Sequence, residues 1–65
     1  MDRQTLLNNI SNNQKVSYNN SNYIPTAYIL RFKDNKWFHQ AELHSLQANS
    51  AIIVELGKVE DAINE

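Results

Sequence analysis

Residues 26–43 read TAYILRFKDNKWFHQAEL, and the way this stretch folds decides the rest of the chain. Asp34 and Asn35 both tolerate the positive φ angles that a two-residue hairpin loop requires. The stretch therefore predicts two antiparallel strands with Lys33 opposite Lys36. That register sets Phe32 against Trp37, Leu30 against His39, Tyr28 against Ala41 and Thr26 against Leu43. This face is almost wholly apolar and is expected to point inward. The other face pairs Arg31 with Phe38, Ile29 with Gln40 and Ala27 with Glu42. A slip of one residue would oppose apolar and polar side chains throughout, so the pattern itself selects the register.

A helix over residues 36–48 is the competing reading, because Gln40 to Leu43 has good helix propensity. On a helical wheel Trp37, Ala41 and Ala48 cluster on one side, while Leu43 and Leu46 fall nearly opposite. A surface helix presents one apolar stripe, not two, and the strand is preferred.

Downstream, residues 51–56 (AIIVEL) are short and rich in β-branched side chains, which favours another strand. Gly57 is expected to end it, and Lys58 to Asn64 to form a short terminal helix with Val59, Ala62 and Ile63 on one side. Upstream, residues 2–13 predict an amphipathic helix capped by Asp2, with Leu6, Leu7 and Ile10 at helical spacing. A helix this short must dock its stripe to persist in water. Val16 and Tyr18 alternate like a brief edge strand before the turn-rich stretch Asn19 to Asn22. Pro25 donates no backbone hydrogen bond and is expected to open the next strand. The asparagine pairs at 8–9, 12–13 and 19–20 read as compositional bias that limits the first helix.

These elements predict a single α+β domain over residues 1–65. Its expected form is a three- or four-stranded antiparallel sheet with a short N-terminal and a short C-terminal helix on one face. A small barrel opening with a helix is the runner-up, since tight barrel corners usually need glycine or bulges and the chain has one glycine.

Sixty-five residues bury only about 60% of the surface of the unfolded chain, so the core is marginal and a partner or a second copy is a natural source of further stability. The absence of cysteine removes disulfides and thiolate metal sites and fits a reducing compartment. The longest apolar run, Ala51 to Val54, is far short of a membrane span, and the N-terminus lacks the apolar run of a signal peptide. The expectation is a cytoplasmic protein with no membrane partner. Net charge is −1, with Arg31, Lys33 and Lys36 close together and Glu55, Glu60, Asp61 and Glu65 crowding the C-terminal end.

Little in the sequence carries catalytic chemistry. His39 and His44 are five residues apart, on opposite faces of a strand or about 140° apart on a helix, and neither geometry suits one metal ion. Serines 11, 17, 21, 45 and 50 lie outside any glycine-flanked nucleophile turn. A single glycine provides no phosphate-binding loop. The adjacent carboxylates Glu60 and Asp61 would diverge on the expected helix. No enzyme activity, metal or cofactor is expected.

What remains is binding. Ile29, Phe38 and Ile53 fall on the outward faces of their strands, with Arg31 and Gln40 beside them, and aromatic residues and arginine are enriched at interface centres. The first expectation is a protein-binding or regulatory module, self-associating or not, with Ile29, Arg31, Phe38, Gln40 and Ile53 as its contact surface. The second is a single-stranded nucleic-acid binder in which Arg31, Lys33 and Lys36 hold phosphates while Phe38 stacks on bases, with Tyr18 and Tyr23 extending the platform. His39, placed among Leu30, Trp37 and Ala41, is read as a half-buried histidine with a hydrogen-bonded ring nitrogen; the alternative is a pH-sensitive contact at an interface, with Glu42 and Glu55 as the carboxylates available to it.

Overall fold

The computed structural model describes residues Met1 to Ile63. An N-terminal helix α1 (Arg3–Ser11) precedes five strands, β1 (Val16–Tyr18), β2 (Ser21–Lys33), β3 (Lys36–Ser45), β4 (Ala51–Glu55) and β5 (Glu60–Asp61). All pairings are antiparallel, in the order β4-β3-β2-β1-β5. The α+β expectation holds in outline, with five strands instead of three or four and without the second helix.

The helix begins and ends where its residues direct. The Asp2 side chain accepts a hydrogen bond from the Thr5 amide at 2.7 Å, the ordinary role of an N-cap. That bond holds the Asp2 carboxyl below its usual 3.8. The stability it adds is therefore complete above about pH 4 and is lost as the pH falls through the lowered value. At the other end Asn13 adopts φ 53°, while the Asn13 amide donates to Ile10 and the Gln14 amide to Asn9. This is a Schellman closure with asparagine where glycine is more usual.

The same left-handed geometry recurs at both hairpin turns. Asn19 and Asn20 (φ 52° and 65°) join β1 to β2, and Asp34 and Asn35 (54° and 62°) join β2 to β3. Positive φ at both central residues is the signature of the type I′ turn, whose twist matches that of the flanking strands. Compositional bias is therefore not the whole account of the asparagines: Asn13, Asn19, Asn20 and Asn35 each occupy a position that most side chains avoid.

Between β2 and β3 the expected register is found from Ala27–Glu42 to Lys33–Lys36, including Tyr28–Ala41, Leu30–His39 and Phe32–Trp37. It departs at one end, where Leu43 pairs with Pro25 instead of Thr26. Thr26 is the extra residue of a bulge, and its hydroxyl donates to the Glu42 carboxylate at 2.8 Å. Pro25 thus lies within a 13-residue strand, not at its start, and is buried there. A bulge is one of the few places where a sheet tolerates proline, and it increases the local twist.

The expected C-terminal helix is replaced by a single 3₁₀ turn, Leu56–Lys58, followed by β5 on the open edge of β1. Asn64, the last residue of that expected helix, lies outside the described residues. Three contacts hold this segment extended. The N-terminal ammonium donates to the Val59 carbonyl at 3.0 Å, the Ser17 hydroxyl to the Asp61 carbonyl at 2.7 Å, and the Asn22 amide group makes a reciprocal pair with the Ile63 backbone. Val59 is fully buried. Its burial and the unsatisfied β1 edge outweigh the weak helix propensity of a seven-residue segment.

The connection from β4 to β5 shapes the whole sheet. The two strands lie on opposite edges, so a flat sheet would separate them by about 19 Å. Only residues 56–59 join them, a path of at most ~18 Å even when extended. Since part of that path is a 3₁₀ turn rising ~2 Å per residue, the sheet has to curl. Leu56 and Val59 cross its concave side and meet Leu6 of the helix, Val16, Ala41, Leu43 and Val54 in one buried cluster.

Truncating the centre of that cluster is the most damaging change. Leu43→Ala is expected to cost roughly 2–5 kcal/mol, which exhausts most of the stability of a domain this small. Gly57 is the opposite case, because its φ is not positive and a methyl group there would meet nothing within 4 Å. Gly57→Ala is expected to stabilise by about 0.4–1 kcal/mol through the unfolded state. Urea unfolding of the two variants beside the parent checks both signs.

Candidate interaction surface

The core ends before the long hairpin does. Ala41 is fully buried and Tyr28 packs against the core cluster, with the Arg3 guanidinium 5.5 Å from the centre of its ring. Beyond this pair β2 and β3 continue toward the turn at Asp34-Asn35, and on the same face Leu30, Phe32 and Trp37 are 48%, 57% and 60% exposed. These residues were expected to point inward. They do share the face of the core, but helix α1 reaches only as far as Tyr28, and among the described residues nothing covers the strand ends. The molecule measures 40 × 23 × 19 Å, and a 13-residue strand at ~3.3 Å per residue accounts for the long dimension. The hairpin is an arm.

The uncovered side chains are ordered against one another. The rings of Phe32 and Trp37 lie 5.0 Å apart with their planes inclined at 59°. One step closer to the core, the Tyr28 hydroxyl is hydrogen-bonded to Nδ1 of His39. His39 is exposed instead of half-buried, and its partner is this phenol. The carboxylates that the sequence made available go elsewhere. Glu42 lies on the other face, bonded to Thr26 and 4.0 Å from His44. Glu55 pairs with Gln40 across β3 and β4.

On the outer face Ile29, Arg31, Phe38 and Gln40 form one group around the Arg31–Phe38 and Ile29–Gln40 pairs. Arg31 Nε donates to Gln40 Oε1 at 2.8 Å, which fixes the guanidinium along the strands. Phe38 is 39% exposed. Ile53, expected in the same cluster, stands on the same face but opposite Glu42 on β4, with Gln40 between it and Phe38. Four of the five residues come together, and the fifth belongs to the edge of the sheet.

The four residues proposed for nucleic-acid contact also share this face. Lys33 and Lys36 are paired at the tip, with Arg31 and Phe38 next along the strands. Tyr18 and Tyr23 do not extend that platform. They pack against the core with ring centroids 6.5 Å apart, on the opposite side of the sheet. His39 and His44 lie on opposite faces of β3, and no group of three metal-binding side chains occurs among the described residues. Ser17 is buried and bonded to the Asp61 carbonyl, a structural role. Among the described residues no helix is long and apolar enough to cross a membrane. Comparison with protein-family models, with curated proteins and with solved structures gives no match.

Alternation along the strands sets Leu30, Phe32 and Trp37 on the core face, but it shows only which side chains share a face, not how far the covering layer extends. The lengths do contain a signal. A nine-residue helix spans ~14 Å, whereas the strands reach ~40 Å, so part of the apolar face has to stay open. Trp37, the only tryptophan, reports on this directly. Its emission in the folded protein is expected near that of tryptophan in water and readily quenched by acrylamide. An emission shifted to the blue and shielded from quencher would contradict an uncovered arm.

Proposed function

We propose that this protein is a non-enzymatic binding module whose β2–β3 arm inserts into a groove on another protein. The observation that supports this reading is the uncovered row Leu30, Phe32 and Trp37, in which Trp37 and Phe32 are the most exposed large apolar side chains among the described residues. Contiguous apolar patches of this kind mark interaction sites on soluble proteins. The aromatic pair is held in place before any partner arrives, so little side-chain entropy is lost on docking. Lys33 and Lys36 at the tip and Arg31 on the reverse face favour a groove with an acidic rim, since charges around an interface steer encounter and set orientation. Ile29 and Phe38 add apolar contacts beside Arg31 on the reverse face, so both sides of the arm offer contacts, which suits insertion better than docking against a flat surface.

Trp37→Ala separates binding from folding. Because the side chain is mostly exposed, the substitution is expected to change stability by no more than about 1 kcal/mol. The loss of a central aromatic anchor is expected to weaken binding by ~2 kcal/mol or more, at least 30-fold. Affinity capture from a lysate of the source cells, with parent and variant as bait, is followed by titration of the partner so identified. A partner retained by Trp37→Ala and by Phe32→Ala at parental affinity would refute the arm as the contact.

A second reading is favoured by one observation, the presence of Arg31, Lys33, Lys36 and Phe38 on a single face. This face would stack an unpaired base on Phe38 and hold adjoining phosphates. Three cations neutralise few phosphates, so affinity is expected to be modest and to fall steeply with salt. Fluorescence anisotropy with a labelled single-stranded oligonucleotide at low ionic strength decides it. No binding there removes this reading, and salt-sensitive binding abolished by Lys33→Ala with Lys36→Ala supports it.

A further inference from the structure

The sheet has two outer edges, and they differ in kind. At one, β5 offers two residues, Glu60 and Asp61, both carboxylates. At the other, β4 offers Ala51-Ile52-Ile53-Val54-Glu55, paired only with β3. Sheet edges are ordinarily protected by proline, lysine, bulges or shortness. The edge of β5 is short and charged. The edge of β4 has a single charge, at its end, and Ile53 in its middle is 49% exposed.

The direction of its free backbone groups follows from the ladder. The Ser45 amide donates to the Ser50 carbonyl at 3.0 Å, so this pair is one that exchanges hydrogen bonds. In an antiparallel ladder such pairs alternate with non-bonded ones. Ile52 and Val54, opposite Leu43 and Ala41, therefore bond to β3, while Ala51, Ile53 and Glu55 turn their N–H and C=O groups outward.

We propose that β4 pairs antiparallel with β4 of a second copy of this chain, about a two-fold axis at Ile53. The sequence of the strand is self-complementary in that register. Ile53 meets its own copy, Ala51 meets Glu55, and Ile52 meets Val54. The outward groups of Ala51, Ile53 and Glu55 then form about six backbone hydrogen bonds. The two Ile53 side chains cover each other on the outer face, and no like charges are opposed. Moving the register two residues toward the C-terminus places Glu55 opposite Ile53 and loses bonds. Pairing β4 with β5 of the next copy offers only two residues and brings Glu60 and Asp61 to the edge that carries Glu55.

One added strand pair buries less than the ~800 Å² per partner of a standard interface, so the dimer is weak and concentration-dependent. It does not depend on what the arm binds. Sedimentation between about 10 µM and 1 mM is expected to show a mass rising from one chain toward two. Ile53→Lys, which sets two ammonium groups on the axis at an already exposed position, is expected to remain a monomer throughout and to melt close to the parent at the lowest concentration, where the parent is monomeric too. Because the chain has no cysteine, Ile53→Cys gives a test that does not rely on loss. Bonded antiparallel partners have Cα atoms ~5.5 Å apart, within the range of a disulfide. Ile53→Cys is expected to cross-link in a glutathione buffer at least 10-fold faster than Gln47→Cys on the β3–β4 loop. A parent that is monomeric at the highest concentration, a mass beyond two chains, or equal cross-linking at the two positions would overturn the proposal. So would a dimer dissolved by Trp37→Ala and not by Ile53→Lys, which would place self-association on the arm.

Discussion

The four residues between β4 and β5 are the constraint on which the fold depends. They are too few to cross a flat five-stranded sheet, so the strands coil until the edges come within reach. The concave side that results is narrow enough for one short helix to cover, and Leu56 and Val59 of the connection pass through it. In a chain of this length, with no disulfide, making the connection part of the core is an economical way to bury apolar surface. The N-terminal ammonium bonded to the Val59 carbonyl ties the first residue to that crossing. The bulge at Thr26 adds twist to β2, the strand that pairs with both β1 and β3.

Much of this was legible in the sequence, and what was not follows a pattern. The β2–β3 register from Ala27–Glu42 to Lys33–Lys36, the Asp2 cap and the strand expected at 51–56 rest on local rules and were readable, although Leu56 belongs to the 3₁₀ turn and the strand ends at Glu55. The bulge was not, because one inserted residue leaves the alternation beyond it intact and only Pro25 hints at it. The C-terminal segment failed for a different reason. Val59, Ala62 and Ile63 are spaced as on a helix, but the open edge of β1 and the space beside Leu6 do not exist until the rest has folded. Tertiary context then overrides a weak local preference. The asparagines show the converse error, since a composition that suggested bias includes four left-handed positions.

The proposed contact surface was partly legible for the same reasons. Strand alternation correctly grouped Ile29, Arg31, Phe38 and Gln40, because cross-strand neighbours follow from the register alone. It placed Ile53 on the right face but could not order β4 against Phe38, which requires the β3–β4 pairing. The exposed side of the arm was missed. Alternation is blind to the length of the layer that covers a face, and here that layer stops at Tyr28.

The arm and the β4 edge are physically separate, and this has a consequence for the function. The arm tip lies at the N-terminal end of β3, whereas Ile53 is level with Glu42 near its other end. A two-fold axis through Ile53 would run β3 and its copy in opposite directions, so the two arms would project away from each other. Neither Trp37 nor Phe32 would be covered by such a pairing. The apolar strip would remain available in the dimer, and a weak contact at each arm would be joined by a shared scaffold. Two sites so joined bind a bivalent or surface-arrayed target far more tightly than either alone, provided the spacing allows both to engage. A marginal core, a weak edge and an uncovered arm are then mutually consistent, because binding to the folded state alone adds to its stability.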